Sequence, residues 1–212
     1  MNEATEFARY LLSSTEERTF DDVLNGLRKV GVERLVEPGR MHRHVLGFVQ
    51  LRLATSADRE LRIHHWPAGA SFAEEPHTHL WDLTSYVLSG EIASTEYAVR
   101  PTSDESPHRL FVVKPAPAGT VREPTREQVS VSIVKRESHS AGSSYFVKHG
   151  VYHTSEPSST SALTLITTSA PMVDYPLVVA SPQSSRLGHA PMTPPTSQEL
   201  DEFRRALWQA IE

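Results

Sequence analysis

The sequence predicts a mainly β protein, a barrel or sandwich of short antiparallel strands with helices at its two ends. Three observations carry this prediction. The apolar period changes from helical spacing to alternation near residue 45. Short β-rich runs then recur at 8–12-residue intervals, separated by glycine and proline turns, until about residue 180. Helical periodicity returns only at the end of the chain, from Ser197.

The elements follow in order. Glu3–Leu12 places Phe7, Tyr10 and Leu11 at helical spacing. Thr19 can cap a second helix, in which Phe20, Val23, Leu24, Leu27 and Val30 form one stripe before Gly31 stops it. Predicted strands are Val45–Leu53, Glu60–Trp66, His79–Leu88, Glu91–Arg100, Leu110–Val113, Val129–Lys135, Tyr145–Lys148, Tyr152–Ser155, Ala162–Thr168 and Leu177–Ala180. The clearest alternation sets Val129, Val131 and Ile133 against Ser130 and Ser132. Between residues 100 and 126 lie five prolines, an excursion that reads as a rim decoration or a lid over a barrel mouth. Residues 181–195 form a proline-rich connector to a terminal helix, Ser197–Ile211, whose Leu200, Phe203, Leu207 and Ile211 share one face with Trp208 beside it. Such a face must be buried, against the barrel or against a second subunit. The expected organisation is one domain over 1–212: a helical segment at 1–44, a barrel at 45–180, and a connector with its helix at 181–212.

Composition narrows the class. The 212 residues are 38% hydrophobic and 22% charged, as in ordinary globular proteins. A net charge of −5 provides no basic footprint for nucleic acid. With no cysteine, disulfides, thiolate metal sites and cysteine nucleophiles are excluded together. No apolar run is long enough for a membrane helix, and the acidic start MNEATEFARY lacks a signal pattern, so a cytoplasmic protein is expected.

Two short segments carry the chemistry. Pro76–Gly90 reads PHTHLWDLTSYVLSG and sets His77 and His79 two apart, on one face if the segment is a strand. Gly142–Pro157 reads GSSYFVKHGVYHTSEP and contains His153. A third imidazole from a distant strand would complete a facial set with open positions for substrate and oxygen. His149, four residues before His153 and across the Gly150 turn, reads as a non-ligand, and His64 and His65 as packing residues that point to opposite faces. Asp82 lies three residues past His79 and faces away from both histidines on an unbroken strand. It reads as a turn or rim residue rather than a ligand.

In these two segments the chain resembles the cupin superfamily. The second family motif is matched at every spacing, Gly142, Lys148, Gly150 and His153, with Lys148 where the family has proline and Pro157 where it has asparagine. In the first motif His77, His79 and Gly90 match; seven residues rather than five separate Gly69 from His77, and the motif glutamate falls on Leu83 or Thr84. A stretch of 51 residues separates the motifs, long for the family. The resemblance implies a cupin barrel, the double-stranded β-helix or jelly roll, holding one divalent metal on His77, His79 and His153. Fe(II) is the expected ion, with Zn, Ni, Cu or Mn as alternatives.

Without the glutamate, the layout is similar to the three-histidine thiol dioxygenases, in which a tryptophan closes the strand before the His-X-His segment, as Trp66 does. That branch clamps the substrate carboxylate with an arginine of an early strand, and Arg52 is the corresponding candidate. Tyr86, Tyr97 and Tyr145 are candidates for orienting substrate or handling protons. The cysteine–tyrosine crosslink found in many members of that branch cannot form in a cysteine-free chain. The expected activity is a mononuclear metal-dependent oxygenase acting on a small carboxylate with O₂. The alternatives are a redox-neutral isomerase, lyase or cyclase, and a non-catalytic ligand-binding cupin. A homodimer is expected, since pairing through sheet edges covers exposed strands.

Overall fold

The computed structural model describes residues 19–44, 46–55, 58–68, 75–103, 106–117, 119–158, 160–181 and 188–212. The predicted helix at Glu3–Leu12 and the motif residue Gly69 lie outside these residues. The chain opens with α1 (Phe20–Val30) and the short α2 (Val32–Leu35). Thr19 caps α1 in a reciprocal box with Asp22, and Gly31 ends it at φ 77°. Strands β1 (Met41–Arg43), β2 (Val49–Thr55), β3 (Glu60–Trp66), β4 (Leu83–Ser89), β5 (Glu91–Pro101) and β6 (Arg109–Ala116) follow. They continue as β7 (Gly119–Ser140), β8 (Ser144–Val147), β9 (Tyr152–Pro157), β10 (Ala162–Thr168), β11 (Leu177–Ala180) and β12 (Gly188–Pro191). Helix α3 (Ser197–Ile211) closes the chain, capped by Thr196 and Glu199.

The protein is therefore mainly β, with two antiparallel sheets and helices at both ends. The first sheet runs β1-β2-β3-β10-β4-β8 and the second β11-β6-β7-β5-β9, with β12 added to β7. Strand alternation divides the first sheet cleanly. Leu51, Leu61, Ile63, Leu163 and Leu165 point outward and pack under α1 and α3, against Val23, Leu27, Phe203 and Leu207. The terminal helix thus buries its face on its own chain, leaving Trp208 half-exposed. The opposite face of this sheet turns toward the second sheet and lines a cavity of about 340 Å³.

The β4–β5 crossover between sheets depends on Gly90. Its φ is +75°, and a Cβ there would meet the Ser161 carbonyl oxygen at 2.4 Å. Any side chain would push β10 away from the corner. Most of the proline-bearing excursion is a hairpin rather than a loop: β6 and the first part of β7 pair in register from Phe111↔Pro124 to Ala116↔Gly119. Its prolines are tolerated because Pro101, Pro115 and Pro124 sit near strand ends or beside a register shift. The hairpin supplies Val113, Lys114 and Arg122 to the cavity wall.

Candidate metal centre and cavity

The first histidine segment differs from the predicted strand. Strand β4 begins at Leu83, so His77 and His79 lie in irregular chain ahead of it. The reason is topological. Residues 76–78 lie between β9 and β11, the two edges of the second sheet, and bond to both. His77 exchanges backbone hydrogen bonds with His153 at 3.1 and 3.0 Å. On the other side, the Thr78 N–H donates to the Leu177 carbonyl at 2.9 Å and the Val179 N–H to the Pro76 carbonyl at 2.8 Å. One short segment joins both edges, satisfying backbone groups that an open sheet would leave exposed. The same pairing sets His77 directly beside His153.

The three imidazoles consequently converge. Ring centroids are 5.2 Å apart for His77–His79, 4.7 Å for His77–His153 and 4.9 Å for His79–His153. One nitrogen from each lies within 4.8 Å of the others, a group that can hold a metal ion. Second contacts fix two of the rings. His77 Nδ1 donates to the Glu75 carbonyl at 3.1 Å and His153 Nδ1 to the Val151 carbonyl at 3.4 Å. A carbonyl only accepts, so both protons sit on Nδ1 and both Nε2 lone pairs are available as ligands. Burial lowers the pKa of His77, and lowers that of His79 further, with the charges of His153 and His77 adding to the effect. Burial, then the charge of His77, brings His153 to about 3. The rings are therefore neutral near pH 7, the form that binds metal.

Asp82 is not part of this group. Its Oδ1 accepts from the His149 backbone N–H at 2.7 Å and from His149 Nδ1 at 2.6 Å. Burial pushes the Asp82 pKa up, but the two His149 hydrogen bonds outweigh it and the net shift is downward. This clasp ties the end of the first histidine segment to the turn that leads into β9, where Gly150 has φ 73°.

The candidate substrate residues separate. Tyr145 lines the cavity, on the inner face through its register with Ser85, and stacks on His139 at 4.3 Å. Burial raises its pKa, so it remains a phenol. Tyr86 has the opposite parity and is buried with the outward apolar cluster under the helices. Tyr97 pairs in register with Tyr152 and bonds to Thr154 at 3.1 Å. Both of those residues flank His153 on its strand, so Tyr97 is on the face turned away from the histidines. Neither Tyr86 nor Tyr97 lines the cavity.

Arg52 is displaced as a carboxylate clamp. It shares inward parity with Gln50, but it sits at a register shift near the open end of β2, with its side chain 45% exposed and 4.0 Å from Glu60. The arginines that do line the cavity are Arg62 and Arg122. The Arg62 guanidinium bonds to Glu60 and lies 5.0 Å from the centroid of Trp81. Arg122 is buried and donates to Glu75 Oε2 at 2.6 Å. The signal for Arg62 was the alternation of RIHHW, which puts Arg62, His64 and Trp66 on one face. For Arg122 the prolines around it concealed the strand.

His64 also belongs to the cavity. It is buried, with Nε2 3.1 Å from Gln50 Oε1, whereas His65 points outward against Phe203 at 6.0 Å.

No protein-family profile matches the sequence, and no curated protein does. Solved structures similar in shape include a cupin superfamily protein from Desulfitobacterium hafniense, 11% identical over 58% of this chain and 77% of that one, TM-score 0.35. Another is an RmlC-like cupin from Shewanella frigidimarina, 19% identical over 60% of this chain and 79% of that one, TM-score 0.33. Hydroxypropylphosphonic acid epoxidase from S. wedmorenis is 14% identical over 63% of this chain and 58% of that one, TM-score 0.39. At these scores the likeness carries no argument about chemistry, which rests on this chain's own residues. Among the described residues, no helix is long and apolar enough to cross a membrane. Several of these neighbours are cupins by name, and this chain has two antiparallel sheets and a three-histidine group.

Proposed function

We propose that this protein is a mononuclear non-heme metal oxygenase, working with Fe(II) and O₂ on a carboxylate-bearing small molecule. The observation that carries the reading is the group of buried His153 with half-buried His77 and His79, opening on a cavity that two arginines border. Three neutral ligands leave a divalent ion its full charge, and Arg62 and Arg122 add positive charge on the cavity wall. Glu60 and Glu75 each pair with one of these guanidiniums, which holds the arginines in place and offsets their charge, so the attraction for an anion comes chiefly from the ion itself. The site therefore favours an anion.

When bound, the metal would supply the redox and Lewis-acid chemistry. The rest falls to the chain. Arg62 binds and orients the acid group, a neutral Tyr145 offers its phenolic proton to the substrate, and the aromatic walls exclude water. Anaerobic reconstitution with Fe(II), followed by oxygen uptake against a panel of carboxylates, tests the reading. Uptake should require both Fe(II) and the acid. Turnover that proceeds equally well with Zn(II), or without O₂, would replace it with the redox-neutral isomerase, lyase or cyclase class.

A further inference from the structure

The cavity wall facing the histidines is aromatic far beyond what a small aliphatic acid needs. On it Phe48 stacks against His44 at 4.4 Å and against His64 at 4.3 Å, with Trp66 at 4.5 Å. Trp81, at the Arg62 end of the cavity, lies parallel to His79 at 6.4 Å with Arg62 above it. Two polar atoms of the wall have protein partners, the Trp66 indole N–H donating to Thr164 Oγ1 at 3.2 Å and His64 Nε2 meeting Gln50 Oε1 at 3.1 Å, while the buried His64 Nδ1 has none. With His44 and His64 stacked on Phe48, the wall meets the cavity chiefly with ring carbons of Phe48 and Trp66, which lose no hydrogen bond when an apolar group covers them. A volume of about 340 Å³ is at the lower end of pockets that enclose ligands of more than a few heavy atoms.

Direction comes from β3. Arg62, His64 and Trp66 occupy alternate positions on one strand face, so the wall passes from a cation to rings over roughly 13 Å, at about 3.3 Å per residue. An acid seated at Arg62 leaves the Phe48–Trp66 end in contact with water unless the ligand extends along it.

We propose that the site is built for a ring-bearing acid, with its carboxylate at Arg62 and its flat apolar body against Phe48, Trp66 and Trp81. This deepens the oxygenase reading and rests on it only for the acid group; the ring subsite stands without a metal. The test is calorimetric titration of acetate, hexanoate, phenylacetate and indole-3-acetate into the protein, both metal-free and loaded with redox-inert Zn(II). Phenylacetate and indole-3-acetate should bind at least about tenfold more tightly than acetate, and more tightly than hexanoate, in both forms. Trp81→Ala, which also removes the ring under Arg62, should weaken acetate modestly and the aryl acids by a clearly larger factor. Acetate or hexanoate binding as tightly as the aryl acids would overturn the proposal, as would equal losses for all four acids in Trp81→Ala. A protein that takes up no Zn(II) but keeps the aryl preference would refute the metal reading and leave this one standing.

Discussion

The two faces of β3 differ as much as two proteins might. Leu61, Ile63 and His65 point outward, and this face is sealed by α1 and α3. Glu60, Arg62, His64 and Trp66 point inward, where charge and aromatic rings replace aliphatic side chains. A face that only had to be buried would be cheaper to build from leucine and isoleucine, as the outer one is. Buried arginine and histidine carry desolvation costs that packing alone does not repay. The outer face holds the fold, and the inner face is where stability gives way to binding.

Substitutions on the two faces should therefore separate stability from chemistry. The largest stability effect is expected outside. Phe203→Ala removes a fully buried ring between α3 and the sheet and should cost about 3–5 kcal/mol in urea unfolding, with metal content per folded molecule unchanged. A loss of metal in step with stability would show that the two faces are coupled.

Inside, Arg62→Gln should leave the unfolding midpoint close to that of the parent and raise KM for the acid about 10–100-fold, the loss of a charge-assisted bond of roughly 1.5–3 kcal/mol. An unchanged KM would move the anion to Arg122.

The pH dependence of the metal-free protein sharpens the contrast further. His64, His77, His79 and His153 all have pKa values lowered by burial. Unfolded, they return to about 6.5 and take up protons below it. Stability from these groups is thus complete above pH 6.5 and declines as pH falls toward the folded values, about 3 for His153. Urea midpoints should drop between pH 7.5 and 5, and bound metal should raise them without removing that slope, because the folded rings carry no proton in either form. A flat profile would mean that these rings are not held neutral.

The smallest effect belongs to the clasp. Asp82→Asn keeps an acceptor for the His149 N–H and gives up only the carboxylate in a partly exposed contact, so stability should fall by less than about 1 kcal/mol with metal content retained. A metal-free variant would make Asp82 a ligand.

How legible these faces were depended on how local their cause is. The helices and most strand cores follow from periodicity: Glu60–Trp66, Ala162–Thr168 and Leu177–Ala180 have the bounds read from sequence, and so does Ser197–Ile211. The histidine set was legible because its spacing survives, even though His77 and His79 occupy no strand. What stayed hidden depends on distant pairing. That residues 76–78 join β9 to β11 is a matter of sheet closure, which no local pattern encodes. The outward position of Tyr86 was legible: an odd number of residues past His79, it faces away on an unbroken strand, as it does between inward Ser85 and Val87. Arg52 has the right parity but the wrong position along β2, a distinction only the register with Arg62 reveals.

The most direct test of the account is metal stoichiometry by elemental analysis of anaerobically purified protein and its His153→Ala variant. One equivalent of a divalent metal in the parent and none in the variant, with both folded, is the predicted result. A full equivalent retained without His153, or no uptake by the parent even in excess Fe(II), would contradict it.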